Sequence, residues 1–387
     1  MKITTVKAIR AGQFLFCRIE TDNGLHGIGE AGCWGALEAA EAAIVKFAGY
    51  LEGLDPTPIE HHWNVLHRDA YYQGAAINAA ISAIDIALWD IKGKALGVPV
   101  YELLGGPVRT RCRTYGHVYA KTIEDVVEDC RAKAANGFTG IGHLNPFLDE
   151  GEDVEYFQSH VDKIEIAADR VRQFREAVGP HVDLLLELHR RLTPAEAEVF
   201  ADAVNTYRPM WLEDPIRPEP IEAMARLRNR IHIPIATGER YTTLYQFEAL
   251  IKQGGVDYVR PSIGLCGGIT GVKKIAALAE AAGIFVAPHN PFSPATLAAE
   301  LMIDAAIPNF AIQEYPTGFD NLRMVSSDRL LGADLFEHVP QVVDGFIELP
   351  SAPGIGVELV ADPETVRPRV TREIGMRPHK DGFIVDQ

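Results

Sequence analysis

From Arg111 onward one rhythm repeats: a short apolar run ends in polar residues and is followed by a stretch whose apolar positions recur with helical period. The runs end near His117, Leu144, His189, Glu213, Glu239, Pro261, His289 and Glu314. Helical patterns fill the gaps over 122–135, 161–178, 195–204, 220–228, 243–252, 271–282 and 294–306. Alternating strand and helix units in this number predict a TIM-type (β/α)7-8 barrel, an α/β fold of usually about 250 residues. A doubly wound sheet competes, but no GxGxxG stands at a strand-to-helix turn.

Ahead of the barrel the pattern is different. Residues 1 to about 30 alternate like strands, with turns at Thr21-Asp22-Asn23-Gly24 and at Gly27, and from about Leu37 to Val108 the period becomes helical. This predicts an α+β capping domain over 1–110 and a barrel over 111–335. After about Gly332 the rhythm fades, and 345–350 with 353–356 read as chain returning to the cap, so 336–387 is expected to complete the first domain.

Composition narrows the function classes. The 387 residues exceed what one core usually organises, in keeping with two domains. A net charge of −16 and the absence of a basic run interleaved with aromatics argue against nucleic acid as a partner. Five cysteines, widely spaced and without a CxxC pair, read as reduced thiols. The N-terminus lacks the pattern of a signal peptide and no stretch is apolar enough to span a bilayer, so no membrane partner and a cytoplasmic location are expected.

Chemistry concentrates at the run ends, where this fold places its active sites. Glu187, Glu213 and Glu239 close consecutive runs at a spacing of about 26 residues, one βα unit each. Three carboxylates brought to one rim call for a cation, and a hard divalent ion with oxygen ligands, Mg²⁺, fits best. His189 stands two residues beyond Glu187 and His289 ends the run at 284–289, roughly opposite the triad. A base and an acid on opposite faces of a substrate suit removal of an α-proton with loss of a β-hydroxyl. Glu314, at the last run end, would donate a hydrogen bond to an enediolate oxygen if protonated.

Specific runs carry a family resemblance. Residues 79–94 and Leu103-Leu104-Gly105-Gly106 precede the barrel. Within it stand Tyr207-Arg208-Pro209-Met210, Ile235-Ala236-Thr237-Gly238-Glu239-Arg240, Gly267-Gly268-Ile269-Thr270, Ala287-Pro288-His289 and Ile312-Gln313-Glu314. In this order they resemble the mandelate racemase branch of the enolase superfamily, and within it the galactonate dehydratase group. The resemblance implies that Glu187, Glu213 and Glu239 hold Mg²⁺, that His289 abstracts the α-proton and that His189 protonates the departing hydroxyl. It implies an acid-sugar dehydratase, a hydro-lyase whose product is a 2-keto-3-deoxy acid, and a homo-oligomer of dimers up to octamers. It also makes the cap positions Trp34 and Tyr72 candidate substrate contacts.

Three positions depart from the family pattern. Glu187 replaces the usual Asp, Ser262 stands where an Asp partners the His289 equivalent, and the second run offers His143 and Asn145 in place of a Lys base. His143 and Asn145 therefore become candidate substrate contacts. Arg260 is a further novelty, placed either to grip a substrate carboxylate or to pair with a neighbouring acid. Alternative outcomes of the same enediolate, racemisation or epimerisation and lactone cycloisomerisation, stay open, as does a catalytically silent barrel.

Overall fold

A computed structural model describes residues 1–33, 35–69, 71–147, 155–320, 323, 324, 328–373, 375 and 377–385. The cap opens with three antiparallel strands, β1 (Ile3–Ala11), β2 (Phe14–Thr21) and β3 (His26–Glu30). Helices α1 (Leu37–Leu51), α2 (Ile59–Asp69) and α3 (Ala75–Leu96) pack on them, and a short α4 (Val100–Leu103) leads onward. α3 lies close on β3 because Gly29 presents no side chain: a Cβ there would sit 2.1 Å from the Ala83 carbonyl oxygen.

Eight parallel strands form the barrel: β4 (Arg111–His117), β5 (Gly140–Leu144), β6 (Asp183–Glu187), β7 (Trp211–Glu213), β8 (Ile235–Thr237), β9 (Tyr258–Val259), β10 (Phe285–Val286) and β11 (Gln313–Tyr315). β11 pairs with β4, and Val286 bridges Phe310, which closes the ring. The intervening helices are α5 (Ile123–Ala135), α6 (His160–Val178), α7 (Pro194–Val204), α8 (Ile221–Arg228), α9 (Leu244–Lys252), α10 (Gly268–Ala281) and α11 (Pro294–Ala306). Their starts are set by side-chain caps. Thr193 with Glu196 and Thr243 with Gln246 form capping boxes, and Thr122, Ser159 and Ser293 each accept a backbone N–H. The fold is the capped barrel that the run pattern predicts.

Under the rim the barrel is filled by Tyr115, Leu185, Trp211, Ala236, Ala287 and Ile312, so the site has a solid floor. Gly142 makes room for this layer, since a Cβ there would meet the Tyr115 ring at 2.4 Å.

The chain beyond 336 divides its contacts. Phe346–Glu348 pairs antiparallel with Arg111–Arg113 at the foot of β4, so this part extends the barrel sheet. Further on, Ile355 donates to Asp90 of α3 (2.9 Å), while Gly12 of the β1–β2 turn exchanges backbone bonds with Arg367 and Val370. His379 then bridges Tyr156, which precedes α6 in the chain. Among the described residues no helix is long and apolar enough to cross a membrane.

Cap and barrel are joined by buried polar bonds. Glu30, 1% exposed at the end of β3, accepts from Ser293 Oγ (2.5 Å), Ser293 N–H (3.2 Å) and Thr296 Oγ1 (2.7 Å), all at the start of α11. Gly32 donates to the Gly264 carbonyl (2.7 Å) and Trp63 Nε1 to that of Gly267 (2.9 Å). Burial pushes the Glu30 carboxyl up to about 7, against the pull of its donors. The folded state therefore keeps this proton where the unfolded chain, near 4.5, releases it. Between pH 4.5 and 7 the native protein binds more protons, so stability falls as pH rises through that window, by about 3 kcal/mol from this group. Urea denaturation at pH 5 and pH 7.5 should show this loss in the wild type and a smaller one in Glu30→Gln.

Candidate active site at the barrel mouth

Each charged group at the mouth comes from the carboxyl end of a strand. Glu187 ends β6, Glu213 ends β7, and Glu239 follows β8 after Gly238. Carboxylate oxygens from the three lie within 4.8 Å of one another. Glu187 and Glu213 are 3% and 4% exposed. Burial, followed by repulsion from Glu213 and Glu239, holds the Glu187 carboxyl well above the usual range. Glu213 rises to about 8, mainly through burial and in spite of Arg260. Burial thus makes ionisation of these two groups costly without a nearby cation, and an all-oxygen donor set suits a hard divalent ion.

Fixed cations balance the rest of the charge. Arg260, one residue past β9 and 1% exposed, contacts Glu213 through Nε and Glu314 through a terminal nitrogen (2.5 Å). The same guanidinium donates to the Tyr115 hydroxyl (3.1 Å) and lies over the Trp211 ring. Of its two expected uses, the structure displays pairing with neighbouring acids. Arg190, just past β6, contacts Glu239 and reaches Asp214 at 3.1 Å. Burial raises the Asp214 carboxyl to about 6, with Glu239 adding to the effect. Burial opposes ionisation of Glu239 too, but His289 and Arg190 outweigh it and hold that carboxyl well below the usual range.

The histidines take up distinct surroundings. His289 Nε2 is 3.2 Å from Glu239. Burial alone would make the imidazole less basic, but Glu239 outweighs it and raises the pKa. Its Nδ1 and the Ser262 hydroxyl are both buried without a hydrogen bond, so among the described residues no anion replaces the missing Asp. β6 ends before His189, which has φ +45°, so the chain turns where continued strand geometry was expected. The ring nevertheless faces the site, with Nε2 3.8 Å from Glu187, and the His189 N–H donates to the same carboxylate (2.9 Å).

Glu314 differs from the expected donor. Burial favours its protonated form, but Arg260 and then His117 outweigh that and keep the carboxyl ionised. It accepts from Arg260, from the Asn290 N–H (2.8 Å) and pairs with His117 Nε2 (2.7 Å). As an anion it orients these groups and offers no proton.

His143 sits between Tyr119 and His117, stacked at 4.6 Å and 4.9 Å, and meets His189 edge-on at 5.2 Å. The Asn145 side chain is turned to its own loop, accepting from the Phe147 N–H (2.8 Å). Tyr72 is 78% exposed and packs on Tyr71. Trp34 lies outside the described residues. His117, Tyr119, Arg190, Asp214 and Asn290 were not singled out from sequence. His117 closes the first run, and Arg190 and Asp214 directly follow selected residues, so the run ends already marked their neighbourhood.

Comparison with known proteins agrees with this geometry. The model of the mandelate racemase/muconate lactonizing enzyme N-terminal domain matches residues 1–105, and that of the enolase C-terminal domain-like family matches 125–363. The chain belongs to the enolase superfamily, in its mandelate racemase branch. It is 39% identical over 366 residues to a D-galactonate dehydratase from Ralstonia nicotianae, covering 93% of this chain and 92% of that one. A D-galactonate dehydratase from Xanthomonas oryzae pv. oryzae is 36% identical, with 94% and 93% covered. An enolase from Agrobacterium radiobacter, provisionally assigned as a galactarate dehydratase and solved with sodium and L-malate, superposes with a TM-score of 0.90 at 29% identity over the whole of both chains.

The charge balance yields a direct prediction. Arg260→Leu leaves Glu213 and Glu314 buried without their shared cation, which should cost about 3–5 kcal/mol in chemical denaturation. A smaller loss in Glu314→Gln/Arg260→Leu than in the single variant would identify the unpaired carboxylate as the cause.

Proposed function

We infer that this enolase-superfamily chain is a Mg²⁺-dependent acid-sugar dehydratase that converts an aldonate or aldarate to a 2-keto-3-deoxy acid. The observation that carries the reading is the Glu187, Glu213 and Glu239 cluster, the first two buried, flanked by His189 and His289 at one barrel mouth. The dehydratases among its relatives support it, and so does a structural neighbour that holds L-malate, itself a hydroxy acid.

Glu187, Glu213 and Glu239 would hold the ion. The chemistry such an ion would supply is Lewis-acid polarisation of the substrate carboxylate, which would acidify the adjacent carbon. His289 takes the α-proton on Nε2, and Glu239 beside it stabilises the imidazolium that forms. His189, whose ring lies beside Glu187, gives its proton to the β-hydroxyl as the carbon–oxygen bond breaks. Water departs, and the resulting enol rearranges to the 2-keto acid. Glu314 fixes Arg260 and His117 beneath the substrate and keeps the floor of the site rigid. The surrounding burial lets these dipoles and charges act without competition from solvent.

A screen of the Mg²⁺-loaded protein against aldonic and aldaric acids, read as 2-keto acid by semicarbazide absorbance, tests the assignment. His289→Asn should lower the rate by roughly 10²–10⁴-fold, the usual weight of a general base. α-Proton exchange in deuterated water without keto-acid formation would overturn dehydration in favour of epimerisation.

A further inference from the structure

A second constellation lies beside the carboxylate triad. Donor atoms of His143, Glu187 and His189 come within 4.8 Å of one another, and Glu187 belongs to both groups. We propose that His143, Glu187 and His189 form a second metal site, shared through Glu187, that selects borderline divalent ions of the Zn²⁺, Co²⁺ and Ni²⁺ class.

The donor chemistry sets the selectivity. Two imidazole nitrogens and one carboxylate on three separate side chains leave coordination positions open, a set that suits first-row transition ions. Mg²⁺ prefers oxygen and belongs in the neighbouring triad. A carboxylate has two oxygens, so Glu187 can face both ions.

The site is also built. His143 is clamped between the parallel rings of Tyr119 (15°) and His117 (26°). His117 is fixed in turn by Glu314, so the stack is anchored to the barrel floor. The stack fixes the plane of the His143 ring. His189 is held near Glu187 by its own N–H bond to that carboxylate. His143 and His189 are only partly buried, which leaves an approach for an ion. Occupancy would engage the imidazole that serves as the acid in the proposed dehydration, so a Zn²⁺-class ion would inhibit that reaction without displacing Mg²⁺.

The proposal uses the Mg²⁺ reading of the triad only to set the starting state. The full-length protein, saturated with Mg²⁺, would be dialysed against Co²⁺, with bound metals counted and the visible absorption recorded. About one equivalent of Co²⁺ should bind while Mg²⁺ stays, and His143→Phe, which keeps a ring in the stack, should weaken Co²⁺ by roughly tenfold or more. Co²⁺ replacing Mg²⁺ one for one, or unchanged Co²⁺ binding in the variant, would overturn the second site. Failure to take up Mg²⁺ at the outset would fault the triad reading instead. Should the variant not fold, electron paramagnetic resonance of Cu²⁺ on the wild type decides: coupling to two imidazole nitrogens supports the site, and none refutes it.

Discussion

Burying negative charge at the barrel mouth is the constraint on which the other features depend. Glu187, Glu213, Asp214 and Glu314 are each 4% exposed or less, and Glu239 lies beside them. Carboxylates so placed repel one another through a medium that screens far less than water. The chain answers with two guanidiniums: Arg260 joins Glu213 to Glu314, and Arg190 joins Glu239 to Asp214. Among the described residues Glu187 contacts no guanidinium; its partner is His189. The demand for positive charge left unmet by a guanidinium thus falls on Glu187.

That demand shapes the backbone around it. His143, His189, Arg190 and Asp214 all have positive φ, and all stand at the mouth. Residues other than glycine occupy this region at a cost, which packing elsewhere must offset. The filled layer below the rim and the cap's grip on the start of α11 supply rigid surroundings. Glu30 reaches the segment just after His289, so the cap helps to seat the proposed base.

Much of this was legible in the chain. The eight run ends and helical gaps follow from periodicity, because a barrel strand and its helix differ in period and in the polarity of their ends. Glu187, Glu213 and Glu239 could be read as a set because equal spacing in a repeating fold means one rim. Arg260 left two uses open, since periodicity places a residue at a rim and does not say which acid its side chain meets. Glu314 was expected to donate a hydrogen bond if protonated, and only the placement of Arg260 and His117 around it reveals an anion. Asn145 sits at the expected strand end, but a local turn claims its side chain. His117 was legible only as a run end, and Tyr119 not at all, because their part lies in ring stacking on His143.

The triad's appetite for a cation is the property most directly open to measurement. Isothermal titration with Mg²⁺ in buffers of different ionisation enthalpy, at pH 7, measures both binding and the protons it releases. Saturable binding with net proton release, abolished in Glu213→Gln, is the predicted result, because burial raises the carboxyls of Glu187 and Glu213 and a bound ion favours their ionised forms. Absence of Mg²⁺ binding, or binding unaffected by that substitution, would contradict it.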